Sequence, residues 1–260
     1  MISIVTATYN SEKYIEQCIL SVMNQTTTDY EHIIVDGGST DSTIDIIKRY
    51  EGKYPVRWIS EKDNGMYDAI SKGFGMAKGD ILCWLNSDDM YMPWTLKTVS
   101  RLMSDQVQWI TGAPSYFTED GIGYVYGGAI KPVPRKFIAR GWMEGRRLWS
   151  IQQESTFWTR ELYDKCGGLN PDYKLAGDYH LWKNMAEFAD LYYVNSTLAG
   201  FRIHENQLSS NRLAYQKEIG ELSLFQRFLS KIKFYKIYYK VYSKLAKRFS
   251  GKNYPLIFIR

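Results

Sequence analysis

The sequence predicts an α/β protein: a mainly parallel, Rossmann-like sheet with flanking helices, followed by a C-terminal amphipathic helical tail. Three observations predict it. First, β-branched runs alternate three times with segments of helical periodicity before a fourth run ends near residue 86. Second, polar clusters fall at the ends of those runs, where an open parallel sheet binds its ligands. Third, charge is uneven: the net +5 of the 260 residues combines 12 Lys/Arg against 2 Asp/Glu from Arg212 to Arg260 with a balance of −5 in the remainder.

Ile2 to Thr8 is a β-branched run and reads as a buried strand. Asn10-Ser11 offers a cap, and Ile15, Cys18, Ile19 and Val22 follow at helical spacing. Tyr30 to Val35 is the second strand, broken by Asp36-Gly37-Gly38. Ile44, Ile47 and Tyr50 mark one face of a second helix, with Thr40 or Asp41 as its cap. Val56 to Ser60 is the third strand. Met66, Ala69, Ile70 and Phe74 mark a third helix, which Gly79 is expected to end. Ile81 to Leu85 is the fourth strand. From Trp109 to Trp149, Gly, Pro and aromatic residues suggest short strands and a loop, and helical patterning resumes from Arg160 to Met185.

Composition is that of an ordinary globular chain, 45% apolar and 23% charged. The 21 tyrosines and 8 tryptophans fit a site that stacks sugars or bases, and equally a protein that touches a membrane surface. Cys18, Cys83 and Cys166 are an odd count without a CxxC pair, so core packing is expected rather than a disulfide framework or a zinc site, in a reducing compartment. The opening MISIVTATYN reads as a strand and not as a signal peptide. No run approaches the ~18 apolar residues of a spanning helix. The expected location is cytoplasmic.

Asp88-Asp89 follows the apolar fourth strand. Adjacent carboxylates there favour a hard divalent cation, Mn²⁺ or Mg²⁺, completed by phosphate oxygens and water; a solvated turn or a cap for the helix from Trp94 to Met103 is the plainer alternative. Asp36, in VDGGSTDST, can accept hydrogen bonds from a nucleobase or ribose, or only shape a turn. The GxGxxG dinucleotide fingerprint is absent. Asp178 stands before the apolar-periodic Leu181, Trp182 and Met185, as a helix cap or as a general base for a hydroxyl nucleophile. His204, after Phe201-Arg202-Ile203, is structural or a metal or phosphate ligand.

Together these stretches resemble family-2 glycosyltransferases of the glycosyltransferase-A fold, of the kind that builds bacterial surface polysaccharides. TATYNSEKYIEQCILSVMNQT is similar to the family's first strand and helix, and VDGGSTDST to its nucleotide-binding turn. EKDNGMYDAISKGFGMAKGD looks like its Asn-Gly helix segment, and LNSDD stands in the place of its DXD-like motif. QESTFWTRELYDKCGGLNPDYKLAGDYHLW is similar to its acceptor-side and catalytic-base segment. The resemblance spans roughly residues 1–210 and implies roles by position. Asp36 would contact the base, with Thr8 and Tyr9 nearby. Asp68 and Lys72 would line the donor pocket. Asp88 would meet the ribose or sugar, Asp89 the metal, and His204 the metal or the diphosphate. Asp178 would be the catalytic base.

The chain departs from the family at Gly177, often acidic in relatives, and at His180, often a second Asp; these bear on acceptor preference. The implied activity is inverting transfer from a nucleotide-diphosphate sugar, a UDP-sugar favoured, to a hydroxyl of a saccharide or lipid-linked acceptor. Residues 1–110 would form the donor-binding half, 111–211 the acceptor and catalytic-base half, and 212–260 a basic helical tail.

Other classes explain less. A glycoside hydrolase needs no nucleotide turn and no Asp pair at a strand end. A nucleotidyltransferase would normally carry a basic, Gly-rich triphosphate loop, and none is visible near the first strand. A non-catalytic sugar- or membrane-binding scaffold would not need both Asp89 and Asp178. In the tail, from residue 222 to 249, apolar residues from Leu222 to Phe249 recur every three or four positions, with Lys233, Lys236, Lys240, Lys244 and Lys247 on an adjoining face. That pattern predicts docking on an anionic membrane surface, at the inner face of the cell membrane, or packing on the body or on a second subunit. No recognised nucleic-acid module accompanies the basic stripe, so nucleic acid is not expected.

Overall fold

The structure is a computed structural model and describes residues 1–124, 132–141, 151–205, 207–220 and 256–257. Its first half follows the predicted alternation: β1 (Ile2–Thr8), α1 (Ile15–Met23), β2 (Tyr30–Asp36), α2 (Thr43–Lys48), β3 (Val56–Ser60), α3 (Met66–Met76) and β4 (Ile81–Trp84). Then come β5 (Met90–Tyr91), α4 (Thr95–Leu102), β6 (Trp109–Thr111), β7 (Tyr116–Phe117), β8 (Gly123–Tyr124), α5 (Arg135–Ala139), β9 (Thr156–Thr159), α6 (Arg160–Lys165), α7 (Gly177–Met185), β10 (Tyr192–Val194), β11 (Ala199–Arg202), α8 (Arg212–Glu218) and β12 (Leu256–Ile257).

Eight strands make the main sheet in the order β12-β10-β6-β9-β4-β1-β2-β3. All the pairings are parallel except those of β9, which runs antiparallel to both β4 and β6. A small second sheet, β5-β11-β7-β8, forms beside it.

Alternation along the strands explains why both faces are covered. Val5, Leu82 and Trp84 point into one core, under α3 and α7. Ile2, Ile4, Cys83 and Leu85 point into the other, where Cys18, Val22, Leu96 and Val99 meet them. The three cysteines are buried free thiols, as core packing requires. The aromatic content is in good part structural. Trp84, Trp109, Trp158 and Trp182 are all buried. Trp84 stacks on Trp182 at 5.9 Å with planes 9° apart, and Trp158 meets both edge-on at 5.4 Å.

Two local expectations change. Gly79 does not end a helix in the left-handed region: α3 stops at Met76 and Ala77 is already extended. Glycine is needed there because a Cβ would lie 2.7 Å from the Met1 carbonyl and 2.8 Å from the Ser3 nitrogen. The Asn10 and Ser11 side chains do not cap α1. The Ser11 carbonyl instead takes the Tyr14 and Ile15 amides, and both side chains serve the site described below. The predicted helix of residues 222–249 lies outside the described residues. Tyr215 and Ile219, at the start of the tail, pack against the main core, and β12 pairs with β10 at the sheet edge. Among the described residues no helix is long and apolar enough to cross a membrane.

His32 on β2 has no exposed surface. Its Nε2 meets Thr6 Oγ1 at 2.9 Å and its Nδ1 meets the Tyr54 hydroxyl at 2.8 Å. Burial pushes its pKa down to about 3. An unfolded histidine titrates near ~6.5. Below that pH the unfolded chain binds a proton that the folded one refuses. Stability is therefore lost as pH falls from about 6.5 toward 3, by up to ~1.4 kcal/mol per pH unit from this group. Urea unfolding at several pH values between 6 and 4.5 should give a shallower slope for His32→Asn than for the native chain, by close to one proton. Equal slopes would contradict the buried neutral imidazole.

Candidate active site

The strands of the β1–β4 group end in polar turns, and hydrogen bonds fasten these together. The Gly37 amide donates to the Thr8 carbonyl at 2.9 Å. The Asn10 amide donates to Ser39 Oγ at 2.8 Å, and the Thr40 amide to Asn10 Oδ1 at 2.8 Å. The Ser11 and Ser87 hydroxyls meet at 2.9 Å, tying the end of β1 to the loop after β4. Asn10 adopts φ 48°, a left-handed conformation that asparagine tolerates. Tyr9 beside it is left 61% exposed.

From β1 the chain steps outward to β2 and β3, then returns to β4 on the other side of β1. The switch point, where open α/β sheets bind ligands, thus lies between Thr8-Tyr9 and Asn86–Asp89. Thr8 Oγ1 and Asn86 Oδ1 are buried there without hydrogen-bond partners.

The two carboxylates after β4 differ sharply. Asp88 is partly exposed and its Oδ2 lies 2.9 Å from His204 Nε2. His204 Nδ1 faces the Glu205 carbonyl at 2.5 Å, and its ring lies 4.6 Å from that of Tyr14. Oxygen acceptors thus face both ring nitrogens. Asp89 has no exposed surface. Its Oδ1 accepts from the Arg202 amide at 2.9 Å, and Oδ2 has only Asn86 Nδ2 at 3.3 Å. Burial, then the charges of Asp88 and Glu154, push its carboxyl well above the usual range.

A divalent cation fits these residues. It would offset the penalty on Asp89, and Asp88 Oδ2 and His204 Nε2, 2.9 Å apart, would both be available to hold it. Among the described residues no three His, Cys, Asp or Glu side chains converge as a ready-made metal site. Diphosphate oxygens and water would complete the shell, as magnesium and manganese favour.

Asp178 lies in the first turn of α7 and not ahead of it as a cap; the cap position is Ala176. Its Oδ1 accepts from the Tyr179 amide at 2.7 Å, and the Tyr67 hydroxyl lies 3.4 Å away. Two devices fix this turn. Glu218 on α8 accepts the amides of Lys174, Leu175 and Ala176, each at 2.6 Å. Below it, the stack of Trp182 on Trp84 joins α7 to the strand that carries Asp88 and Asp89. Gly177 admits no side chain, since a Cβ would lie 2.8 Å from the Tyr67 ring.

The family described as Glycosyl transferase family 2 matches residues 3–164, which include β1 to β4 and the Asp pair. The chain belongs to glycosyl transferase family 2. Among curated relatives, it is 27% identical over 223 residues to chondroitin synthase of Escherichia coli, covering 84% of this chain and 31% of that protein. It is 31% identical over 187 residues to a PGL/p-HBAD biosynthesis glycosyltransferase of Mycobacterium tuberculosis, covering 69% of this chain and 67% of that one. Among solved structures, S. aureus TarS 1-349 in complex with UDP-GlcNAc superimposes with a TM-score of 0.66 at 18% identity, over 81% of this chain and 60% of that one. The mannosyltransferase PcManGT of Pyrobaculum calidifontis, in complex with GDP-Man and Mn²⁺, gives 0.63 at 19% identity, over 89% and 64%. The chain thus spans under a third of the chondroitin synthase and 60% of the TarS chain. The structural likenesses show the glycosyltransferase-A fold.

In this member of glycosyl transferase family 2 the sequence-predicted residues separate into groups. Asp88 meets His204, Asp89 turns to the Arg202 amide and Asn86, and Thr8 and Tyr9 lie across the switch point. Asp36 differs from the expected base contact. It has no exposed surface, and Oδ2 accepts from the Gly38 and Ser39 amides at 2.9 Å and from Ser60 Oγ at 2.7 Å. Ser39 Oγ donates to Oδ1. Asp36 builds the turn, and its carboxylate is engaged there by these donors. Asp68 accepts from the Asn64 amide at 2.9 Å and lies 3.4 Å from Lys72, which pairs with Glu61 at 2.9 Å. Both residues brace the loop between β3 and α3.

Arg202 carries more of the candidate site than its place in the sequence suggests. It is fully buried. Nε donates to the Asp88 carbonyl at 2.7 Å, Nη1 to the Glu119 carbonyl at 2.7 Å and Nη2 to Gln17 Oε1 at 2.6 Å. A charged residue inside the apolar strand Ala199–Arg202 was the available signal, since such a residue must find partners. Lysine cannot reproduce the planar fork. Arg202→Lys should cost about 3 kcal/mol in urea unfolding, because buried carbonyls lose their donors. A cost under ~1 kcal/mol would show that Arg202 does not hold this loop.

Proposed function

We propose that this protein is an inverting glycosyltransferase that moves a sugar from a nucleotide-diphosphate sugar, a UDP-sugar favoured, to a hydroxyl of a saccharide or lipid-linked acceptor. The observation that carries this reading is the Asp88–His204 pair. Its two residues, 116 apart in sequence and 2.9 Å apart in space, meet at the carboxyl edge of a parallel sheet. A cation-ready pair at that edge suits a ligand that leaves as a diphosphate.

Asp88, Asp89 and His204 would hold Mn²⁺ or Mg²⁺. When bound, the ion offsets negative charge that builds on the departing diphosphate. Exposed Tyr9 offers a face for the nucleobase, and the turn built on Asp36 shapes the wall beside it. Asp68 and Lys72 brace the donor pocket from the loop after β3. Asp178 takes the proton of the acceptor hydroxyl as that oxygen attacks the anomeric carbon. Attack opposite the leaving diphosphate inverts the configuration. Tyr67, Glu218 and the Trp84–Trp182 stack keep Asp178 in position.

The ligands of the solved neighbours support the donor class. One neighbour was solved with UDP-GlcNAc and another with GDP-Man and Mn²⁺. Calorimetry with UDP, GDP and dTDP in the presence of Mn²⁺ tests the nucleotide. UDP should bind most tightly, and tighter binding of GDP would move the donor to the guanosine class. The sequence pattern of residues 222–249 further supports docking of the protein on the inner face of the cell membrane. Sedimentation with anionic liposomes at low salt should need residues 222–260; equal binding to neutral liposomes would remove the electrostatic part of this proposal.

A further inference from the structure

Glu154 occupies the middle of a short 3₁₀ turn, Gln153–Ser155, that leads into β9. The side chain is 2% exposed, and its Oε1 is buried with no hydrogen-bond partner. Its neighbours are anchored on both sides. Gln153 Nε2 donates to the Trp84 carbonyl at 2.6 Å, and its Oε1 lies 3.3 Å from Asn86 Nδ2. Ser155 Oγ donates to the Ala199 carbonyl at 3.2 Å. The turn is thus pinned to β4 and to β11, and Glu154 is held in place between them.

The negative charges of Asp88 and Asp178 both bear on Glu154, and its own charge bears on Asp89. Asn86 Nδ2 lies 3.3 Å from Asp89 Oδ2 and 3.3 Å from Gln153 Oε1, which sets the turn that carries Glu154 beside the cation side of the site. A buried carboxyl with one oxygen orphaned in such a place is costly. Packing alone would be met better by leucine or methionine, which leave no polar atom orphaned.

We propose that Glu154 is a binding residue for the transferred sugar, its carboxyl hydrogen-bonded to a sugar hydroxyl between the Asp88 side and the Asp178 side of the site. The nucleotide end is marked by Tyr9 and the Asp36 turn, on β1 and β2. Glu154 precedes β9, beyond β4 in the opposite direction along the sheet. A carboxyl oxygen accepts from a hydroxyl, which every sugar ring offers. This inference rests on the nucleotide-sugar reading above.

The test compares Glu154→Leu and Glu154→Gln with the native protein by calorimetry in Mn²⁺. The ligands are UDP, UDP-GlcNAc, UDP-glucose and UDP-galactose. Glu154→Leu should bind UDP as the native protein does and lose about tenfold in affinity for the UDP-sugar the native protein prefers. Its Tm should not fall. Glu154→Gln, which keeps a donor and an acceptor, should retain most of that affinity. If Glu154→Leu binds UDP and the UDP-sugar as the native protein does, Glu154 does not touch the sugar. If UDP and UDP-sugar weaken in parallel, it acts on the diphosphate or the cation, and the proposal is overturned. If the native protein binds none of the four, the nucleotide-sugar reading fails first and takes this inference with it.

Discussion

Replacing Asp178 with asparagine is expected to lower sugar transfer by about 10²–10⁴-fold, the usual contribution of a positioned general base. Binding of UDP with Mn²⁺ should stay close to native. Asparagine keeps the side-chain shape and the oxygen that accepts from the Tyr179 amide. A purely structural residue in that first turn would therefore tolerate the change, since Asn and Asp serve a helix start almost equally well. Only the affinity for a proton is removed. Initial rates of transfer, with calorimetry on the same preparation, separate the two roles. Near-native transfer by the variant would leave Asp178 with the structural role alone.

Removing the divalent cation is expected to have an effect of similar size. Excess EDTA, or Asp89→Ala, should reduce turnover by about a thousandfold, because a bound ion supplies several kcal/mol of charge stabilisation. The reason lies in the buried pair. Asp89 is fully buried, with Asp88 and Glu154 pressing its carboxyl toward the neutral form. Without a cation that arrangement only costs stability; with one, the same carboxylates become ligands. His204→Ala removes one side of the 2.9 Å contact with Asp88, so it should raise the Mn²⁺ concentration needed for half-maximal rate. Full activity in excess EDTA would refute the role given to the metal.

The first half of the fold was legible because each element carries its own period. Ile2 to Thr8 and Val56 to Ser60 are the strands the β-branched runs predict, to the residue. The position of the Asp pair after the fourth strand followed from the same reading. The second half was less legible. The four residues of TFWT are too few to declare a strand, and nothing local in them says that β9 enters between β4 and β6 in the opposite direction. Strands of two residues, such as Met90–Tyr91 and Tyr116–Phe117, are too short to show an alternation.

Contacts made at long range were hidden for the same reason. Glu218 gathers three amides about 40 residues earlier in the chain because α8 folds back on the start of α7. Asp36 looked available from its place at a strand end. The Gly38 and Ser39 amides that occupy it are local, as a turn requires, but the Ser60 donor appears only once β2 and β3 are paired. Trp84, Trp109, Trp158 and Trp182, open to a ligand-stacking role in the sequence, are drawn into the core by their size and by one another.

The central claim is transfer from a nucleotide sugar, and one assay meets it directly. The intact protein is incubated with Mn²⁺ and a panel of UDP-, GDP- and dTDP-sugars, and release of the nucleoside diphosphate is followed. The account predicts release of UDP from at least one UDP-sugar, faster with an acceptor saccharide present and stopped by EDTA. No release of nucleoside diphosphate from any member of the panel, with or without acceptors, would contradict it.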